Sequence, residues 1–371
     1  MFEISRRRQV FLTCLFVFCV GGVGSGAQEG GRWLVSPELL RQAGLEIVWD
    51  DELPLKPMER LQRLFIIGER LYALSSSNYL IALDKETGKK VFSKSAAAAG
   101  LPLGEPVLYK DELMYAVGSR LVEMSEQTGE EVRVRNVESR IVCPAVRNSS
   151  FFYISGADRR LHVLREKDLV QLFEATADND SMITSVMADE DSVILGTDAG
   201  NVVCMSPDKA RRLWQFDAAG AIAGPVVRDG MSVYFASKDT NVYRVDMTDL
   251  QARRLVWKYQ VAGVPETAPR VTQKAVYQYV RGKGVTAIDK QSGKLLWSLP
   301  DALELLTEAQ GKVYTIAKKE KLVLMDNATG KVLHSASLRG VTKYAVNSVD
   351  SKMYIGDRRG RIMCIEPIRQ R

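Results

Sequence analysis

The chain reads as an all-β fold, an eight-bladed β-propeller of four-stranded antiparallel blades, on three observations. A strand-turn-strand unit recurs along it at a nearly fixed spacing of 37 to 43 residues. A large side chain, aromatic in most copies, recurs eight residues beyond the start of each turn. The last copy lacks an outer strand, and a matching strand stands alone near the N-terminus. Self-similarity at a period of about 40 residues decides architecture before any local propensity does.

The first residues stand apart from that pattern. Arg6, Arg7 and Arg8 precede an almost wholly apolar run from Val10 to Val20, and Ser25-Gly26-Ala27 follows. A positive region, a short apolar run and a small-residue end make residues 1–27 a signal peptide for export. The run is too short to span a bilayer. An uncleaved N-terminal anchor is the alternative. Arg7-Arg8-Gln9-Val10-Phe11 partly matches a twin-arginine signal, so the export route stays open. Cys14 and Cys19 lack the small residues a lipid-attachment box needs ahead of them. Residues 28–44 read as a linker with a short helix, capped by Ser36, started by Pro37 and ended by Gly44.

Residues 45–371 carry the repeat. The clearest copy is Ala287-Ile288-Asp289-Lys290-Gln291-Ser292-Gly293-Lys294-Leu295-Leu296-Trp297. Asp289 can bond its own backbone ahead, and Gly293 can take the positive φ of a tight turn. Asp84 with Gly88 and Asp326 with Gly330 repeat the same turn, and Ser125 with Gly129 keeps most of it. Arg165, Ser206, Asp246 and Glu366 hold the equivalent place in copies that have lost the Thr-Gly. The large side chains are Phe92, Arg133, Phe173, Trp214, Trp257, Trp297 and His334. A ring at that place predicts a wedge between neighbouring sheets, and Arg133 and His334 predict looser junctions. Proline recurs at the start of the first strand, at Pro106, Pro144, Pro225 and Pro269, which places that strand at a sheet edge. The final copy stops just past Glu366. The strand ending in Trp49 would complete it and close the ring, making Trp49 the counterpart of Trp297. A seven-bladed ring with a loose end is the alternative.

Composition is that of a globular protein, 46% hydrophobic and 26% charged, which excludes disorder over most of the chain. The net charge of +6 is mild and carries no nucleic-acid signature. Removing residues 1–27 takes away three Arg and one Glu and leaves +4. Cys143, Cys204 and Cys364 remain, each in an apolar strand-like run. That sparse, odd set predicts buried hydrophobes rather than a disulfide framework.

The unit from Ala287 to Trp297 resembles the repeat of the pyrroloquinoline-quinone-like (PQQ-like) β-propellers, and Ala82 to Phe92 is similar to it. The resemblance implies one of two branches. Quinoprotein dehydrogenases of this fold bind the quinone with calcium on the ring axis, and many carry an adjacent cysteine pair, which this chain lacks. The other branch is non-enzymatic and includes the lipoprotein propeller of the outer-membrane β-barrel assembly machinery. Length, export signal and bare blades resemble the second branch more. They imply a monomeric scaffold without cofactor in the periplasm or cell envelope, with envelope proteins as partners and outer-membrane protein assembly as its process. A PQQ-binding oxidoreductase, or its subunit, and a binder of anionic envelope polymer are the alternatives.

Catalytic signatures are sparse. The chain has two histidines, His162 in a strand and His334 at a wedge position. Neither a zinc-protease motif nor a phosphate-binding loop occurs. Asp178-Asn179-Asp180 reads as a solvated turn rather than a cation loop. The feature that points to binding is electrostatic. Loops between second and third strands share one face of the ring. Over blades 6 to 8 they carry Arg281, Lys283, Lys318, Lys319, Lys321, Arg358, Arg359 and Arg361. Charge of one sign on a face steers an opposite partner toward it. The competing reading is that hairpin tips are charged because they are wet.

Overall fold

The computed structural model describes residues 33–368. The predicted signal peptide and residues 28–32 of the predicted linker lie outside the described residues. Eight four-stranded antiparallel sheets form the body. Blades 1 to 7 take residues 61–95, 107–136, 146–176, 183–217, 227–260, 270–299 and 302–337. Blade 8 combines residues 343–367 with Leu45–Glu52, which pairs antiparallel with Arg361–Pro367. The N-terminal strand therefore closes the ring, as the unmatched strand at Trp49 predicts. Every blade then has its outer strand and none is left as an open half-sheet.

Each blade runs from an inner strand outward. The inner strands Val107–Tyr109, Val146–Arg147, Val227–Asp229 and Arg270–Val271 are sheet edges that follow the recurring prolines. The second strands are almost wholly buried. Tyr72, Tyr153, Tyr234, Tyr277, Tyr314 and Tyr354 occupy one place in them, with Met114 in blade 2 and Ile194 in blade 4.

A β-bulge marks the outer strand of every blade. In blade 6, Trp297 pairs with Ala287 and Leu295 with Ile288, so Leu296 is the extra residue. In blade 8, Trp49 pairs with Cys364 and Ile47 with Ile365, so Val48 is extra. The extra residue always immediately precedes the wedge position. A bulge bends the strand and sharpens its twist, which re-aims the next side chain. Here that side chain turns toward the neighbouring blade. The bulge is the local reason that a fixed spacing beyond the turn delivers the wedge.

Ser36 caps the helix Pro37–Gln42, its hydroxyl accepting from the Leu39 N–H. This segment packs as part of the body rather than serving as a linker. Leu34, Val35 and Leu40 are buried against Leu306, Tyr314, Ile355 and Met363 of blades 7 and 8. They fill the junction where His334 offers no large ring. Cys143, Cys204 and Cys364 are buried and unpaired among the described residues, as their apolar surroundings predict. Burial pushes the Cys143 thiol up to about 11 and that of Cys204 to about 12, which leaves both inert.

Candidate functional site

The alternating strand directions put the second-to-third-strand loops and the blade-to-blade connections on one face. Side-chain bonds tie the two sets together there. Asn78 donates to the Ala98 and Leu101 carbonyls at 2.9 and 2.8 Å. The Ser237 hydroxyl donates to the Gly220 carbonyl at 2.7 Å. This loop face carries all eight predicted rim cations.

The structure divides them. Arg281 pairs with Glu266 at 2.7 Å, Lys318 with Asp301 at 3.1 Å and Arg361 with Asp357 at 2.8 Å. Lys283, Lys319, Lys321, Arg358 and Arg359 are exposed and form no ion pair among the described residues. The acids of these loops are occupied elsewhere. Buried Asp357 accepts from the Arg359 and Arg361 N–H groups, and Glu320 accepts from the Gly340 N–H. Their charge holds the loops in shape, so the unpaired cations set the potential over blades 6 to 8.

Blades 3 and 4 differ on the same face. Arg159 pairs with Asp180 at 3.4 Å, Arg160 with Glu174, and Arg212 with Asp178 at 3.1 Å. Asp178-Asn179-Asp180 is a short turn bonded by Arg159, Arg212 and Gln215. Hydrogen bonding from Gln215 holds the Asp178 carboxyl below its usual range, with Arg212 beside it. The loop therefore serves ion pairs. His162 lies between Asp158 at 2.8 Å and Gln171 at 3.2 Å in a strand. Among the described residues no three His, Cys, Asp or Glu side chains could hold a metal ion. The axial cavity between blades 2 and 5, about 370 Å³, is walled largely by Pro106, Val107, Val146, Val186, Met187 and Val226.

The structural repeat residues stand on the opposite face. Trp297 of blade 6 lies on Gly330 of blade 7, and its indole N–H donates to the Asn327 carbonyl at 3.1 Å. Trp257 meets Gly293 and the Lys290 carbonyl at 3.0 Å, and Trp49 meets Gly88 and the Lys85 carbonyl at 3.0 Å. Gly293 has φ +70°, and a Cβ there would sit 2.5 Å from the Trp257 ring. Each turn glycine is therefore the seat of the previous blade's tryptophan as well as a turn former. The anchors of these junctions include the residue after each turn Asp. Lys85 reaches Asp350 of blade 8 at 3.7 Å, Lys290 reaches Asp229 of blade 5, and Asn327 accepts from Tyr277 of blade 6 at 3.0 Å. Spacing alone could have flagged that position, because it follows the aligned Asp. Its residue type varies, which hid it.

Trp214 is buried as a wedge, but its indole N–H has no protein acceptor, because blade 5 lacks the matching turn. Where a looser junction is predicted at Arg133, the structure places a packed ion cluster. Arg133 bonds Glu123 at 2.7 Å and Glu166 of blade 3 at 2.5 Å, and Arg147 joins Glu123 at 3.1 Å. Burial pushes the Glu123 carboxyl up despite its bonds to Arg133.

A family model described as outer membrane protein assembly factor BamB matches residues 174–370. No curated protein matches the chain. Among solved structures, BamB from Moraxella catarrhalis superposes with a TM-score of 0.66 at 14% identity, covering 88% of this chain and 99% of that one. The computationally designed Ika8 protein gives 0.64 at 14% identity, covering 85% and 98%. The Cps50 (Swd1) β-propeller domain of Myceliophteria thermophila gives 0.55 at 12% identity, covering 87% and 99%. At such identities the superpositions establish the propeller fold alone, and the family rests on the sequence match. That match spans more than half of the chain, so this protein belongs to the PQQ-like repeat β-propeller family described as outer membrane protein assembly factor BamB.

Proposed function

We propose that the protein is a non-enzymatic interaction scaffold of the bacterial cell envelope that docks partner proteins on its loop face in support of outer-membrane protein assembly. The observation that carries the docking face is the set of five rim cations without an ion pair among the described residues, Lys283, Lys319, Lys321, Arg358 and Arg359. Exposed charge that is not neutralised within the chain steers encounter and penalises wrong partners. The family match supports the envelope setting.

Affinity capture from envelope extracts tests this reading, with the wild type beside a Lys283→Glu/Lys319→Glu/Arg359→Glu variant. Partner proteins retained by the wild type and lost by the variant support it. Equal capture by both overturns the docking face. Visible-band binding of pyrroloquinoline quinone with calcium, accompanied by dye reduction, overturns the non-enzymatic reading. Retention of anionic polymer in place of protein overturns the protein partner, and its decline with salt would identify that binding as electrostatic.

A further inference from the structure

We infer that the axial mouth on the loop face is an anion site, in which Lys343 and Arg358 of blade 8 take a carboxylate of an extended acidic peptide. This deepens the scaffold reading and rests on it for the protein nature of the ligand.

Lys343 opens the inner strand Lys343–Ala345, directly after the connection from blade 7, so it stands at the loop-face end of the axis. Its Cα partner is Gly356, and Arg358 lies two residues farther along that loop. The Arg358 carbonyl accepts from the Leu61 N–H at 3.0 Å, which fixes the loop against the inner strand of blade 1. Lys343 is half-buried, and its ammonium forms no hydrogen bond or ion pair among the described residues. A nearby carboxylate, Glu304, is already held by Arg270 at 3.1 Å and accepts from the Leu305 N–H. Tyr344, the next residue, takes the other side of the strand and feels the charge of Glu304.

A half-buried Lys343 thus stands beside the exposed Arg358, and neither forms an ion pair among the described residues. Burial lowers the Lys343 pKa, and Arg358 lowers it further. Such an arrangement costs stability until an anion joins the pair. A carboxylate between the ammonium and the guanidinium would form charge-assisted hydrogen bonds to both. Across the axis, blades 2 to 5 offer a largely apolar wall of Val107, Val146, Val186 and Val226, with Arg147 and Glu105 also on it, Glu105 paired with Arg63. A mouth that is cationic on one side and largely apolar on the other fits a chain of alternating acidic and apolar side chains. Its position inside a ring of loops keeps a flat membrane surface away.

Anisotropy of fluorescein-labelled hexaglutamate, titrated with the full chain, tests the site, with hexaglutamine as control. The expected result is binding of hexaglutamate alone, weakened about tenfold by Lys343→Met and retained by Lys343→Arg, the size of one lost charge-assisted contact. Hexaglutamate should also protect Lys343 from acetylation, read by mass spectrometry. Unchanged binding by Lys343→Met, or no binding by the wild type, overturns the site. Lys343-dependent binding to anionic phospholipid vesicles without binding of hexaglutamate overturns the peptide assignment. Failed capture from extracts beside Lys343-dependent peptide binding overturns only the scaffold reading, and the reverse overturns only this site.

Discussion

Blades 6 to 8 and blades 2 to 4 meet the same packing requirement with different chemistry. At the junction of blades 6 and 7, Trp297 buries a large ring on Gly330 and satisfies its one polar atom on Asn327. At the junction of blades 2 and 3, Arg133, Arg147, Glu112, Glu123 and Glu166 share the same space as a charge cluster. An indole with one donor needs one carbonyl. Buried ions need every lone pair and proton matched, and their desolvation offsets much of their attraction. The loop face shows the converse division. Blades 3 and 4 neutralise Arg159, Arg160 and Arg212 within the chain, whereas blades 6 to 8 leave five rim cations unpaired. Each region thus has one junction without a large aromatic, at Arg133 and at His334, and the five rim cations of blades 6 to 8 are unpaired among the described residues. A rigid platform limits the ordering cost a partner meets on docking.

The largest expected effect comes from removing a staple. Trp297→Ala should cost about 3–5 kcal/mol, because it empties a packed site and leaves the Asn327 carbonyl without its indole donor. Urea unfolding of the purified protein measures it. Glu123→Ala should cost about 3 kcal/mol, the low end for breaking a buried pair, since Glu112 and Glu166 still face Arg133 and Arg147. A loss near zero would show that the cluster contributes nothing net. Gly293→Ala meets both a positive φ and the Trp257 ring, and should cost about 1–3 kcal/mol. Gly311→Ala has the positive φ but open space, and should fall at the bottom of that range.

A gentler change separates ring packing from the indole bond. Trp257→Phe removes a satisfied donor and should cost about 1 kcal/mol more than Trp214→Phe, which removes a donor that has no protein acceptor. Equal losses would show that the bond to Lys290 adds nothing to the staple.

The pH response is the smallest effect. Hydroxyl and backbone bonds from Thr87, Ser292 and Thr329 hold Asp84, Asp289 and Asp326 below the usual carboxylate range. Their stabilisation is complete above the unfolded Asp pKa, about 4, and is lost as pH falls through the lower folded values. Glu123 runs the other way, because its raised folded pKa favours the fold at low pH and loses that contribution as pH rises through it. Asp289→Asn should therefore flatten the acid limb of unfolding, and Glu123→Gln should steepen it.

Much of the ring was legible because repetition averages over worn copies. The Asp-x-x-Thr-Gly turn and the ring beyond it were sharp in few blades, yet their spacing located blades that had lost both. Trp49 could be matched to Trp297 for the same reason, and both follow a bulge after an aliphatic residue. The buried tyrosine at one place in the second strand was an available signal, present in every blade but blades 2 and 4. Three things were hidden. The residue after the turn Asp changes type among Lys, Glu and Asn, so no single motif exposes its shared reach. Arg133 looked like a lost wedge because its partners Glu123, Arg147 and Glu166 come from three different strands or turns. The rim was visible as a count of charges, but which charges were unpaired depended on Glu266, Asp301 and Asp357 meeting them through tertiary structure.

The central claim is that the unpaired charge over blades 6 to 8 is the docking face, and the paired Arg159 and Arg160 of blade 3 are not. Capture from envelope extracts by two charge-reversed variants compares these directly. Lys283→Glu/Lys319→Glu/Arg359→Glu should lose the partners that the wild type retains. Arg159→Glu/Arg160→Glu, in the neutralised half, should retain them. Loss by the second variant with retention by the first would contradict the account.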